Sequence, residues 1–405
     1  MASFVLTAQL QLSAPTNVGN VRRIIQNQLN NINANINIKV NPQQIAQLQK
    51  LQKNVTQTGK AAKVAGNDME AFGKQSALAI RRFGAFVAAT YAFRKFVSAI
   101  GDGFKEAIEF ERELIKISQV TDKSVRSLKP LTAEVTRLSK TFGVSSAELL
   151  KSSRVLAQTG LTANKVKTAL QALAKADLSP TFGNMASVTE GLIAVFRQFN
   201  IEVEKSEAVL GSINAVSSKF AVESSDIIAA VRRTGGAFKA AGGELNELIA
   251  LFTSVRATTR ESAESIATGF RTIFTRLQRT RTINFLGNLG VDLRNLQGEF
   301  VGPFEAIKKL SAALKGLSTT DPRFAQIVEE LGGFRQISKV IPLIQQFDTA
   351  QRALNVAQAG SSSLSKDAAK AQNSLAIQMK KVREEFTELI RKISDGNAFK
   401  TFAGT

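Results

Sequence analysis

The chain has 405 residues, 44% of them hydrophobic, with 53 Lys and Arg against 33 Asp and Glu for a formal charge of +20. That is long enough for two or three domains, apolar enough to bury a core, and basic enough to meet an acidic partner, although such an excess also simply keeps soluble proteins apart. With no cysteine and no histidine, the chain lacks disulfides, thiolate and imidazole metal sites, and Ser-His or Cys-His catalysis, so an enzyme built from it has to run on carboxylates, Lys, Ser or the single Tyr91.

The N-terminal run MASFVLTAQLQLSAPTNVGN has no basic segment before Arg22 and does not read as a secretory signal. In VLTAQLQL and ANINIKVN apolar and polar residues alternate, the period of half-buried strands, and between them Val21, Ile24, Ile25 and Leu29 share a helical face. Residues 1–42 are therefore expected to form a small β-α-β unit. Pro42 opens a polar helix whose Ile45, Leu48, Leu51 and Val55 make a thin apolar seam, as in a short coiled coil. Residues 43–104 read as extended helices, first polar and then apolar.

Within that stretch, residues 78–112 combine aromatic and small residues with Arg81, Arg82, Arg94 and Lys95 around an apolar middle. FGAFVAATYAF is too short for the roughly 20 residues of a spanning helix. Two readings fit: a helix packed into its own domain, or a basic amphipathic segment on a membrane, with Phe83, Phe86, Val87, Tyr91, Phe93 and Phe96 as the contact residues.

From residue 142 a helical corner recurs, in FGVSSAEL, TGLTANKV, FGNMASV, FNIEVEKS, FAVESSDI and AGGELNEL. The corner positions are Gly143, Gly160, Gly183, Asn200, Ala221 and Gly242, at steps of 17, 23, 17, 21 and 21. Each step holds one helix of about 12–15 residues and a short turn. Gly and Asn take the left-handed conformation that ends a helix, Ser145 with Glu148 has the form of a capping box, and Thr162 caps alike without the returning acid. Ala221 fits least well. The uneven period argues against a solenoid and for an all-helical domain of antiparallel hairpins.

The order of these pieces carries a family resemblance. SKTFGVSSAELLKSSRVLAQTGLTANKVKTALQALAKAD, then G.AFKAAGGELNELIALF, SAESIATGFRTIFTRL and LGNLGVDLRNLQGEFVGPFEAIKKLSAAL, continued by EELGGFRQISKVIPLI, resemble the helical core domain of phage tail tape measure proteins over about residues 105–345. Residues 105–285 then form that core, and 286–350 complete it with a hairpin-like VDLRNLQGEFVGP turning at Gly298 and a helix from about Phe304. Residues 351–405 read as a C-terminal amphipathic helix carrying Leu375, Val382, Phe386, Leu389 and Ile393 on or near one face. The fold expected is mainly α.

Sites for chemistry are sparse. Glu384 and Glu385 are adjacent and so about 100° apart, which reads as a solvated helix face. TGGAFKAAGG and ELGGF lack the strand-helix context and Lys-Ser/Thr ending of a phosphate loop and read as tight helix corners. The cluster Arg256, Arg260, Arg271, Arg276, Arg279 and Arg281 has no interleaved aromatic ladder; Arg271, Arg276, Arg279 and Arg281 are the contacts expected for an acidic partner such as DNA or a tube wall.

The resemblance implies a structural protein laid in the lumen of a phage or prophage tail, setting tube length, passing through the host cytoplasm during assembly and released toward the host envelope at infection. It implies tail tube protein, tail assembly chaperones and tail-tip proteins as partners, with self-association, DNA or host membrane as further contacts, and no cofactor or small-molecule substrate. Two other classes stay open: a membrane-active helical protein working through residues 78–112, and a carboxylate-dependent cell-wall hydrolase, which needs a convergent acid pair.

Overall fold

The computed structural model describes residues 105–394, and all of its helices belong to the second of the chain's two units, Arg94–Thr405. The β-α-β unit expected over 1–42, the helices expected over 43–104 and the candidate membrane contacts Phe83 to Phe96 lie outside the described residues. Sixteen α-helices follow one another, and among the described residues there is no strand. The hairpin-like VDLRNLQGEFVGP forms an isolated antiparallel bridge between Arg294 and Phe300, with the Val301 amide donating to the Leu293 carbonyl at 3.0 Å and the Asn295 amide to that of Glu299 at 2.8 Å, and it turns at Gly298, φ +82°.

The first helix, α1 (105–121), buries Ala107, Phe110 and Ile117. Then come α2 (Lys129–Phe142), α3 (Ser146–Gln158) and α4 (Ala163–Ala176), each carrying a three- to four-residue apolar period toward its neighbours. Gly143 ends α2 at φ +69° and Gly160 follows α3 at φ +84°. The hydroxyl of Ser145 accepts from the Glu148 amide at 3.4 Å and that of Thr162 from the Lys165 amide at 3.5 Å. Gly183, at φ +75°, closes a 3-10 turn rather than an α-helix.

The centre is built by α5 (Met185–Phe199), α6 (Ser206–Lys219), α7 (Ser224–Ala240), α8 (Leu245–Thr259) and α9 (Ala263–Leu277). Leu248, Ile249, Ala250, Leu251 and Phe252 are consecutive and fully buried. A helix apolar all round has to be enclosed on every side, and α8 is enclosed by α7, by α13 (Ile337–Gln345) and above all by α14 (Phe347–Ala359). Phe238 of α7 and Phe270 of α9 both stand edge-on to Phe274, with ring centroids 4.8 and 5.0 Å apart, the geometry favoured by the ring quadrupole.

Asn200 ends α5 in the left-handed conformation at φ +52°, and Gly242 follows α7 at φ +88°. The corner at Ala221 is made differently. Phe220 leaves α6 extended at φ −121°, and the Ala221 carbonyl is satisfied by the Arg260 guanidinium at 2.7 Å. No left-handed residue is required there.

The paired glycines of TGGAF are also not a corner, because Gly235 lies inside α7. A Cβ on Gly235 would stand 2.7 Å from the Phe199 ring, so this glycine lets α5 and α7 pack closely.

The chain continues through α10 (Thr280–Asn288), α11 (Pro303–Ala313) and α12 (Pro322–Gly332), which cover α9, before α13 and α14 return to the centre. Where one amphipathic helix was expected over 351–405, the described part holds the greater part of α14, then α15 (Ser363–Ala371) and α16 (Leu375–Ser394). Ala350, Ala353 and Ala357 of α14 are fully buried; small residues at this spacing allow α14 to lie close on α8.

Besides the buried Leu364 and Ala368, α15 is attached by polar groups. The buried Asn214 amide of α6 donates to Ser363 at 2.8 Å and to Asp367 at 2.7 Å, while its carbonyl accepts from Ser179 at 3.1 Å. Lys175 of α4 reaches Glu207 at 2.7 Å and Ser365 at 2.8 Å.

Candidate interaction site

The arginines singled out in the sequence divide by role. Arg276 of α9 is partly buried and donates to the carbonyls of Glu329 and Glu330 at 3.2 and 3.4 Å; the Glu329 carbonyl also accepts from the Gly333 amide at 2.8 Å, so it is the Glu330 carbonyl at the end of α12 that depends on the guanidinium. Arg281 is 88% exposed and stands 3.9 Å from Glu330, whose carboxylate is already held by Thr282 at 2.7 Å. Arg271 and Arg279 are exposed. Arg256 is spent on Asp226 at 2.9 Å and Arg260 on the Ala221 carbonyl. The outward charge therefore comes from Arg271, Arg279 and Arg281.

The sequence did not single out an exposed aromatic at the end of α12. Gly333, at φ +67°, ends α12 and lies close to the Arg276 guanidinium. The next residue, Phe334, is 76% exposed, with Ile337 also exposed. The signal was present in ELGGFR, where a glycine pair is followed by an aromatic, but it reads equally as a corner with a buried anchor.

Several of the buried carboxylates are occupied by structure. Glu113 is nearly buried in α1; burial pushes its carboxyl up, but the bonds from Lys116 at 2.7 Å and Arg154 at 2.9 Å outweigh that and hold it below its ordinary value. Burial raises Asp177 and Glu247. Asp177 caps the end of α4, and Glu247 accepts from the Glu244 amide at 2.8 Å at the start of α8, so the two belong to the ends of different helices. Among the described residues no group of His, Cys, Asp and Glu is placed to hold a metal ion. Nor is any described helix long and apolar enough to cross a membrane.

The face of α16 is the largest departure from expectation. Glu384 and Glu385 were read together as a solvated face, and Glu385 is exposed. Glu384 is buried, accepting from the Ser139 hydroxyl at 2.6 Å and the Ser146 amide at 3.2 Å. Arg391, also buried, donates to the Ser146 hydroxyl at 3.1 Å and stacks 4.0 Å from the Phe110 ring centroid. Lys140 meets Glu388 at 2.9 Å, and Glu106 of α1 accepts from Arg383 and, at 3.0 Å, from Thr387. The inner face of this helix carries the buried Ile377 beside these polar groups, while Leu375, Met379 and Val382 point outward.

These features define, over the described residues, an all-helical domain whose surface offers contacts: exposed arginines on α9 and at the start of α10, an exposed aromatic at the end of α12, and a last described helix with apolar residues facing outward. Residues 132–333 match the family of phage-related minor tail proteins, and through this domain the chain belongs to a phage tail protein family. Its role is structural, in the virion tail and in contact with other tail components. The match runs from α2 to the end of α12, so α13 to α16, packed on the same core, lie beyond it. No solved structure matches the chain significantly.

Proposed function

We propose that the protein is the tail's tape measure, lying in the tube lumen and setting the length at which tube subunits stop adding. The observation that carries this is the match of residues 132–333 to the minor tail family, joined to the order of motifs from SKTFG to IPLI. The mechanism is geometric: helix rises about 1.5 Å per residue, so these 405 residues drawn out as continuous helix would span at most about 600 Å.

The packed domain of sixteen helices spans far less than its contour, because each helix folds back on its neighbours. The measuring segment is therefore best sought in residues 43–104, with the helical domain supplying contacts during assembly. Arg271, Arg279 and Arg281 are the residues proposed to face an acidic partner, DNA or the tube wall. Tail tube protein, assembly chaperones and tail-tip proteins are the proposed partners. The test is tail length in particles carrying in-frame deletions within residues 43–104.

A further inference from the structure

The geometry points to α1 and α16 as a parallel clasp that carries tension along the chain past the centre of the domain. Glu106 of α1 accepts from Arg383 and, at 3.0 Å, from Thr387. One turn further on, the Arg391 guanidinium carbon lies 4.0 Å from the Phe110 ring centroid. The step from 106 to 110 is matched by the step from 387 to 391, so the first and last described helices run side by side in the same direction.

Both helices are also tied to one support. Glu109 and Glu113 of α1 pair with Lys151 and Arg154 of α3, the latter at 2.9 Å, while Glu384 and Arg391 of α16 meet the start of α3 at Ser146. At the Gly143 corner a Cβ would stand 3.0 Å from that of Lys380 and 3.1 Å from the Ile377 carbonyl, so α16 lies against the backbone there. Each of these hydrogen bonds involves a charged group, the stronger class. None of them involves α5 to α9, α13 or α14, which form the centre.

Parallel neighbours at the two ends of a domain have a mechanical consequence. Pulling backward on the chain before α1 and forward on the chain after α16 slides the two helices past each other, so their cross-links are loaded together and must fail at once rather than in turn. The load passes from α1 to α16 directly and through α3, and the centre stays out of its path until the clasp gives way. The register sets residue 394 near the level of residue 113, so the folded domain adds only about 12 Å of helix to a taut chain. In a ruler under tension, the domain would hang to one side and hardly count toward the length measured.

The test is stretching of single full-length chains at constant force, with handles on introduced thiols, since the chain has no cysteine. Handles at Lys105→Cys and Asp395→Cys load the helix pair in shear, whereas handles at Lys105→Cys and Leu375→Cys pull both helices from the same end and peel them apart. At equal force the sheared protein should outlive the peeled one at least ~10-fold, because a barrier set by all the cross-links together is higher than one set by each in turn. Glu106→Ala, which removes the bonds to Arg383 and Thr387, should shorten the sheared lifetime about tenfold. It should leave unchanged the lifetime with handles at Leu296→Cys and Phe334→Cys, exposed positions outside the clasp.

Equal lifetimes in shear and in peeling would overturn the inference, as would a sheared lifetime indifferent to Glu106→Ala. An effect of Glu106→Ala that is equally large with the remote handles would make Glu106 a general stabiliser, and also overturns it. The inference rests on the ruler reading only for the source of the tension. Stretching needs no particle, so tails that contradict the ruler leave this measurement standing.

Discussion

Glu384 accepts a 2.6 Å hydrogen bond from Ser139 across 245 positions of sequence, and both are almost wholly buried. A charged acceptor placed in an interface this dry holds the last helix in one rotation and one register, because any other leaves the carboxylate without donors. With the Ser146 amide and Arg391 it forms the attachment of α16 to α2 and α3.

Glu384→Ala should therefore loosen α16 selectively. A hydrogen bond to a charged group contributes about 1.5–3 kcal/mol, and amide exchange in residues 375–388 should accelerate while α7 and α8 stay protected. Uniform loss of protection across the domain would show that α16 is integral to the core rather than an attached element.

Gly211 of α6 faces the corner between α14 and α15, where a Cβ would stand 2.8 Å from the Gly360 carbonyl and nearer still to that of Ser361. These are backbone atoms that have no rotamer to yield. Gly211→Val is expected to destabilise the domain by more than about 1–3 kcal/mol, the usual range for overpacking, measured as a lowered denaturation midpoint. A variant of unchanged midpoint would mean that the corner moves freely.

Much of this architecture is legible in the sequence, and the reasons are local. The left-handed backbone at Gly143, Asn200 and Gly242 is the conformation their residue types favour, and the helix-and-turn spacing of the corners fits the helices between them. The exceptions are positions whose conformation is decided from afar. Ala221 turns without glycine because Arg260, 39 residues on, satisfies its carbonyl; Gly235 packs α5 on α7 rather than turning a corner; and Glu384 is buried because Ser139 and Ser146 lie beneath it. Of the basic cluster, the sequence shows which arginines exist but not that Arg276 serves the end of α12 while Arg281 points away.

That division of labour is measurable. Arg276→Ala should cost about 1–2 kcal/mol of stability, chiefly through the Glu330 carbonyl it leaves without a donor, since that of Glu329 keeps the Gly333 amide. The triple change of Arg271, Arg279 and Arg281 to Ala should stay within about 0.5 kcal/mol per site, as for other surface positions, while weakening any salt-sensitive binding to an acidic partner. Equal thermal shifts in the two variants would contradict the assignment.

Acid should weaken the fold through its paired carboxylates. The folded value of Glu113 lies below its ordinary 4.5, so its stabilising contribution is fully present above that value and is lost as pH falls through the lower, folded one. Glu113→Gln should be less stable than the parent at neutral pH, and the difference should shrink as pH drops below 4.5. A difference constant from neutral to acid would show that the charge at Glu113 contributes nothing.

The ruler reading rests most directly on tail length. In the native particle, removing residues 43–70 in frame deletes 28 positions, and negative-stain microscopy should show tails shortened by one fixed amount, up to about 1.5 Å per deleted residue. Graded deletions within 43–104 should shorten them in proportion. Intact particles whose tails keep their length across the whole series would contradict the account.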